Sequence, residues 1–178
     1  ARPDTVDGLA IDVPDYARAL IEAFWPGALT VILKAQPSLA WDLGDTNGTV
    51  ALRMPDDELA QAILAEIGPM AVSSANRNGQ PNARNILDAA TQLGSAVQVY
   101  LDAGPVRSAF PSTIVDCTAE EPVVLREGRL TAAEIEEVVA AYRQSANATA
   151  TGAEEGLESD RDESELDAST DTSTEPPS

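Results

Sequence analysis

Histidine is absent from this 178-residue sequence, and cysteine occurs once, as Cys117. These two absences exclude a His general base, a Cys–His pair, a Cys/His zinc site and an internal disulfide. Aromatic residues make up only 4% of the chain against 43% hydrophobic residues overall, so the core has to be aliphatic and alanine-rich. Positive charge is scarce as well: 11 Lys and Arg stand against 30 Asp and Glu, a formal net charge of -19. That balance argues against a free-standing nucleic-acid binder, which needs clustered Lys and Arg to neutralise phosphates. It leaves room for a site that gathers a few arginines around one small anion. No run of about 18 apolar residues offers a membrane span, and no signal-peptide pattern is visible. A reducing, cytoplasmic setting is expected.

The acidic charge is concentrated at one end. Residues 144–178 hold ten Asp/Glu and one Arg, with many Ser and Thr and almost nothing large and apolar. Such a segment buries too little surface to offset its ordering entropy, so a disordered acidic tail is expected there. The globular domain is then expected over residues 1–143, a length sufficient for one domain with a real core.

Within that domain, strand and helix patterns alternate. Residues 15–25 put Ala19, Leu20, Ala23 and Phe24 on one helical face before Pro26-Gly27. Residues 29–35 ("LTVILKA") and 48–55 ("GTVALRMP") read as strands, and 56–68 as a helix that ends at Gly68. "MAVSSAN" (70–76) reads as a strand running into a loop, and 97–104 ("VQVYLDAG") alternates as a strand does. Residues 112–117 and 122–128 predict two further strands. Residues 131–143 predict a last helix, with Thr131 as N-cap and Glu134 at the capping-box position. Interleaved strands and helices predict an α/β domain with a mixed or largely parallel sheet.

Ligands of open α/β sheets collect at strand ends, and three polar clusters fall there. Thr49 and Arg53 are four apart on one strand and so share a face. Ser73, Ser74 and Asn76 follow the apolar run 70–72. Ser112 and Thr113 open one strand, and Arg126 closes the next. Two guanidinium groups, several hydroxyls and a carboxamide suit an anionic, hydroxyl-rich ligand. Each cluster also has a plainer explanation. A Ser-Asn-Gly run is an ordinary turn, Arg53 an ion-pair arginine, Arg126 part of a turn salt bridge, and Cys117 a small buried residue.

In order along the chain, "FWPGALTVIL", "TVALRMP", "AVSSANRNGQP", "VYLDAGP", "PSTIVD" and "LREG" closely resemble the YrdC-like threonylcarbamoyl-AMP synthases. The resemblance spans residues 1 to about 140. It implies a twisted, mixed α/β sheet with flanking helices and a concave cavity. It also implies an enzyme, a nucleotidyltransferase that joins L-threonine, bicarbonate and ATP into threonylcarbamoyl-AMP and releases pyrophosphate. The product supplies the machinery that makes threonylcarbamoyladenosine in tRNA. By resemblance, Arg53, Ser74 and Ser112 hold threonine, while Thr49, Asn76 and Arg126 contact ATP. No protein nucleophile is implied, and Mg²⁺ is expected to arrive on the triphosphate without a protein cage. The family's opening "PT-x-T-x-Y-G" segment and its Lys-x-Arg pair do not occur in this sequence. The chain is therefore expected to be an N-terminally truncated member with an incomplete fold. Arg84 stands where the family carries a small hydroxyl residue. Two other classes fit less well: a non-catalytic RNA-binding module, which the charge opposes, and a related carbamoyl-transfer domain, whose companion zinc-finger modules are absent from the sequence.

Overall fold

The computed structural model describes residues 1–106 and 110–148. These fall into two compact units divided after Val138.

The first unit is organised around one strand. β2 (Leu29–Ala35) alternates strictly: Leu29, Val31 and Leu33 are fully buried, while Thr30 and Ile32 face the other way. Residues an even number apart share a sheet face, so this strand puts its branched aliphatic side chains into the core and a hydroxyl on the opposite side. β3 (Thr49–Leu52) runs antiparallel along one edge of β2, with Val31 opposite Leu52 and Lys34 opposite Thr49. The other edge takes two strands end to end. β4 (Thr113–Asp116) pairs in parallel with Leu29–Ile32, and the short β1 (Ala10–Ile11) pairs antiparallel with Lys34–Ala35. β5 (Val123–Arg126) closes the far side, antiparallel to β4, with a register irregularity between Ile114 and Val115. The sheet is thus mixed, as the sequence predicts.

Helices flank it. After α1 (Val6–Leu9), α2 (Asp15–Phe24) packs against β2. Its buried stripe is Tyr16, Ala17, Leu20 and Ile21, rotated from the face expected from the sequence. Ala23 is exposed. The rotation follows from Tyr16, whose hydroxyl donates to the Ala119 carbonyl at 2.6 Å while the ring fills the core. Burial pushes the Tyr16 hydroxyl pKa well above its usual range and the neighbouring Cys117 thiol up to about 12. Cys117 is the small buried residue that its plainer reading anticipates.

α3 (Glu58–Ile67) is capped by Asp57, which accepts from the Ala60 N–H, and α4 (Ile86–Leu93) by Asn85, which accepts from the Asp88 N–H. Between Arg53 and Phe110, Ala89 is the one buried apolar side chain among the described residues. Two expected strands do not form in this stretch: residues 70–72 and 97–104 are irregular. A strand requires a neighbour to take its N–H and C=O groups, and no described strand lies beside either run. Val72, Val99 and Leu101 are exposed accordingly.

Residues 132–138 are helical, and Thr131 and Glu134 make the expected reciprocal cap: the Glu134 carboxylate accepts from the Thr131 N–H, and Thr131 Oγ1 from the Glu134 N–H. In the second unit, residues 139–148 are helical, with Ser145 Oγ donating to the Tyr142 carbonyl. Helix therefore occupies residues 144–148, which the sequence places in the acidic tail. Residues 149–178 of that expected tail lie outside the described residues.

Candidate functional site

A cavity of about 650 Å³ opens on the polar face of the sheet. Its floor is the Val50–Arg53 stretch with Thr30. Pro111, Ser112 and Arg126 form one wall, Pro69–Ser74 and Asn82 another, and Trp41, Leu43 and Thr46 of the loop after β2 add to its lining.

The strand-borne wall is tightly specified. Ser112 immediately precedes β4, and the parallel register that sets Thr113 beside Leu29 brings Ser112 against Thr30. Thr30 Oγ1 donates to Ser112 Oγ at 2.9 Å. Arg126, at the end of β5, donates from Nε and Nη2 to the Ser112 carbonyl at 3.2 and 2.8 Å, and from Nη2 to Ser112 Oγ at 3.2 Å. With two donors directed at it, Ser112 Oγ keeps its own proton for a ligand acceptor. Thr113 anchors this arrangement from the core side. Its buried hydroxyl donates to the Leu130 carbonyl and accepts from the N–H groups of Gly128 and Leu130.

Arg53 follows β3 and donates from Nε to the Gly27 carbonyl at 2.8 Å, which leaves its two terminal nitrogens toward the cavity. Its pKa is lowered, first by partial burial and then by the positive charge of Arg126. Among the described residues neither arginine forms an ion pair; the pairs present are Arg2–Asp4, Arg18–Asp7 and Lys34–Asp12. Among the described residues, the cavity lining contains no carboxylate. Two guanidinium groups that repel each other in one cavity, with no acidic partner among the described residues, make a site for an anion.

Of the six residues singled out from the sequence, Arg53, Ser74, Ser112 and Arg126 line this one cavity. Thr49 and Asn76 do not. Thr49 Oγ1 donates to the Thr46 carbonyl at 2.7 Å. The Asn76 amide donates to the carbonyls of Arg77 and Gln80 at 2.9 and 3.0 Å, while its Oδ1 is buried without a partner. Both side chains hold the loops that border the cavity. Arg84 is also absent from the lining; its backbone N–H is accepted by Asp88. Sequence reasoning missed Thr30, Asn82 and Trp41. Thr30 carried a signal, being the one hydroxyl on the outward face of a strand whose only other polar residue is Lys34. Asn82 carried none.

Comparison with known proteins fits this geometry. The family model described as "Telomere recombination", Sua5/YciO/YrdC, matches residues 1–128. The chain belongs to the Sua5/YciO/YrdC family. A Mycobacterium leprae relative is 54% identical over 135 residues, covering 76% of this chain and 61% of the relative. The Bacillus subtilis threonylcarbamoyl-AMP synthase is 39% identical over 137 residues, covering 75% of this chain and 39% of that protein. Among solved structures, Pyrococcus abyssi Sua5 complexed with L-threonine superposes with a TM-score of 0.70 at 34% identity, over 76% of this chain and 40% of that one. The mixed α/β sheet is therefore the family's, and the chain spans 61% of the M. leprae relative and about 40% of the other two.

Proposed function

We propose that this chain carries the threonine- and nucleotide-binding half of an L-threonylcarbamoyladenylate synthase. The observation that carries the reading is a cavity with no carboxylate among its described lining residues, in which Arg53 and Arg126 come together with Ser74 and Ser112. Support comes from relatives named threonylcarbamoyl-AMP synthase and from the threonine-bound P. abyssi neighbour.

In this reading the two terminal nitrogens of Arg53 take the threonine carboxylate, with Ser74 and the Ser112 hydroxyl donating beside it. The amino group of threonine combines with bicarbonate, losing water, to give an N-carboxylate. One of its oxygens forms a bond to the α-phosphorus of ATP, the bond from that phosphorus to the β-bridging oxygen breaks, and pyrophosphate leaves with the electron pair. Arg126 lies on the nucleotide side. No side chain needs to act as a nucleophile; the chain's residues position the reactants and neutralise charge. Thr49 and Asn76, assigned to ATP by resemblance, would first have to release their carbonyl partners. Mg²⁺ would come with ATP, since a lining of hydroxyls and guanidinium groups suits a cation held by phosphates and water. The product would pass to a tRNA threonylcarbamoyl-transferring system, which places the reaction in the cytoplasm.

Residues 1–178 contain no Lys-x-Arg pair, and Arg53 and Arg126 are the two guanidinium groups they bring to the cavity. The test is ATP–pyrophosphate exchange dependent on threonine and bicarbonate, in residues 1–178 and in the same chain fused to a family segment bearing that pair. The fused protein is expected to exchange, and residues 1–178 to be slower by about a hundredfold or more. A fused protein that folds but shows no exchange would overturn the reading.

A further inference from the structure

The cavity wall carrying Ser73 and Ser74 is not part of the sheet. It is one limb of a loop whose other limb returns to the cavity at Asn82, while residues 75–81 between them stay outside the lining. The spacing of the two limbs is set by whatever holds residues 77–81. Two sets of contacts do so. Within the loop, Arg77–Gln80 is a tight turn: the Gln80 N–H donates to the Arg77 carbonyl at 2.9 Å, Gly79 takes φ 77°, and Asn76 caps the turn from inside. A positive φ at the third position is the type II geometry that glycine supplies.

From outside, a single α4 residue grips both ends of that turn. The Gln92 side chain accepts from the Arg77 N–H at 3.0 Å through Oε1 and donates through Nε2 to the Pro81 carbonyl at 3.1 Å. The Gln92 carbonyl accepts from Arg77 Nε as well. Gln92 does not line the cavity.

We infer that Gln92 is a positioning residue: its carboxamide bridges Arg77 and Pro81 and thereby fixes the distance between the Ser73–Ser74 limb and Asn82 across the ligand cavity. The chemistry requires a carboxamide, because one end must accept from an N–H and the other donate to a C=O. A carboxylate serves the Arg77 end only, and a thioether neither. With few apolar contacts under it, this wall depends on those polar ties for its order. Loosening it lets the ligand's hydrogen-bond donors drift, and displacements of about 1 Å are enough to cost affinity and rate.

The inference rests on the proposed threonine site, and the experiment separates the two. Residues 1–178, Gln92→Met and Gln92→Glu are compared by calorimetric titration with L-threonine, by amide hydrogen exchange and by thermal melting. Gln92→Met is expected to speed exchange at Arg77 and Gln80, leave β2 and β4 protected and the melting temperature unchanged, and weaken threonine binding by about tenfold. Gln92→Glu, which keeps the Arg77 tie, is expected to fall between. Unchanged threonine affinity in Gln92→Met overturns the inference, whether or not the loop exchanges faster. So does faster exchange throughout the sheet with a lowered melting temperature, which marks a merely structural role. If the unsubstituted chain binds no threonine, the reading of the cavity itself falls and takes the inference with it.

Discussion

One wall of the cavity stands on strands; the other hangs on a loop. Ser112 precedes the buried Thr113 of β4, Arg126 ends β5 opposite Ile114, and Arg53 follows the buried Leu52 of β3. Ser73, Ser74 and Asn82 sit in a stretch where only Ala89 is buried among the described apolar residues. The first wall inherits its order from hydrophobic packing. The second obtains it from the amides of Asn76 and Gln92 and a capped α4. The two arginines are on the rigid side, and the hydroxyls of Ser73 and Ser74 are on the side with fewer contacts. A site divided in this way can hold a carboxylate firmly while its opposite wall follows the rest of the ligand.

The comparison can be broken most sharply at its charged end. Arg53→Ala should weaken L-threonine binding by the equivalent of about 2–5 kcal/mol, the usual cost of removing one partner of a desolvated charge pair, and should change ATP affinity much less. Equal losses for both ligands in calorimetry would erase the division of roles. Packing comes next. Leu33→Ala, in the fully buried face of β2, should cost about 2–5 kcal/mol in denaturant unfolding. Thr113→Val should cost about 1–3 kcal/mol, because the N–H groups of Gly128 and Leu130 and the Leu130 carbonyl lose their buried partner. Val72→Ala, 85% exposed in the loop-borne region, should fall within about 0.5 kcal/mol of the parent. A Val72→Ala loss as large as that of Leu33→Ala would show that the two regions are packed alike.

A pH titration sharpens the same contrast. Cys117 binds its proton more tightly in the fold, with its pKa raised from 9.0 to about 12, and Tyr16 shifts in the same direction. Where the folded pKa is raised, the stabilisation is complete below the unfolded value and is lost as pH rises toward the folded one. The melting temperature should therefore fall between about pH 9 and 12 as the sheet core gives way. Cys117 should resist a thiol reagent at pH 8 until denaturant is added. Rapid labelling of the folded chain would contradict its burial.

Much of the rigid wall was legible in the sequence. The bounds read for the β-branched run "LTVILKA" coincide with those of β2, and Arg53, Ser112 and Arg126, each read at a strand end, line one cavity. The loop-borne half was less legible for a definite reason. Alternation in "VQVYLDAG" and the apolar run Met70–Val72 report what a segment is able to pair with, and pairing depends on a neighbour that local pattern does not contain. Asn76 was hard to read on similar grounds: a carboxamide in a Ser/Asn run suits a phosphate and a turn equally, and its carbonyl partners at Arg77 and Gln80 become visible only in three dimensions. Gln92 offered no local signal at all, since its partners lie 11 and 15 positions away.

Gly128 brings a last consequence. A methyl group there would collide with the Pro111 carbonyl oxygen and stand 2.6 and 2.7 Å from the carbonyl carbon and oxygen of Ser112, backbone atoms with nowhere to go. Its N–H is also one of those tied to Thr113. The turn after β5 thus presses directly on the peptide that presents Ser112 to Arg126. In a saturation mutational scan, Gly128 would read as intolerant as the cavity residues themselves, though no ligand touches it. Anyone mapping such a scan onto function would mark it as a binding residue, when its contribution is the absence of a side chain.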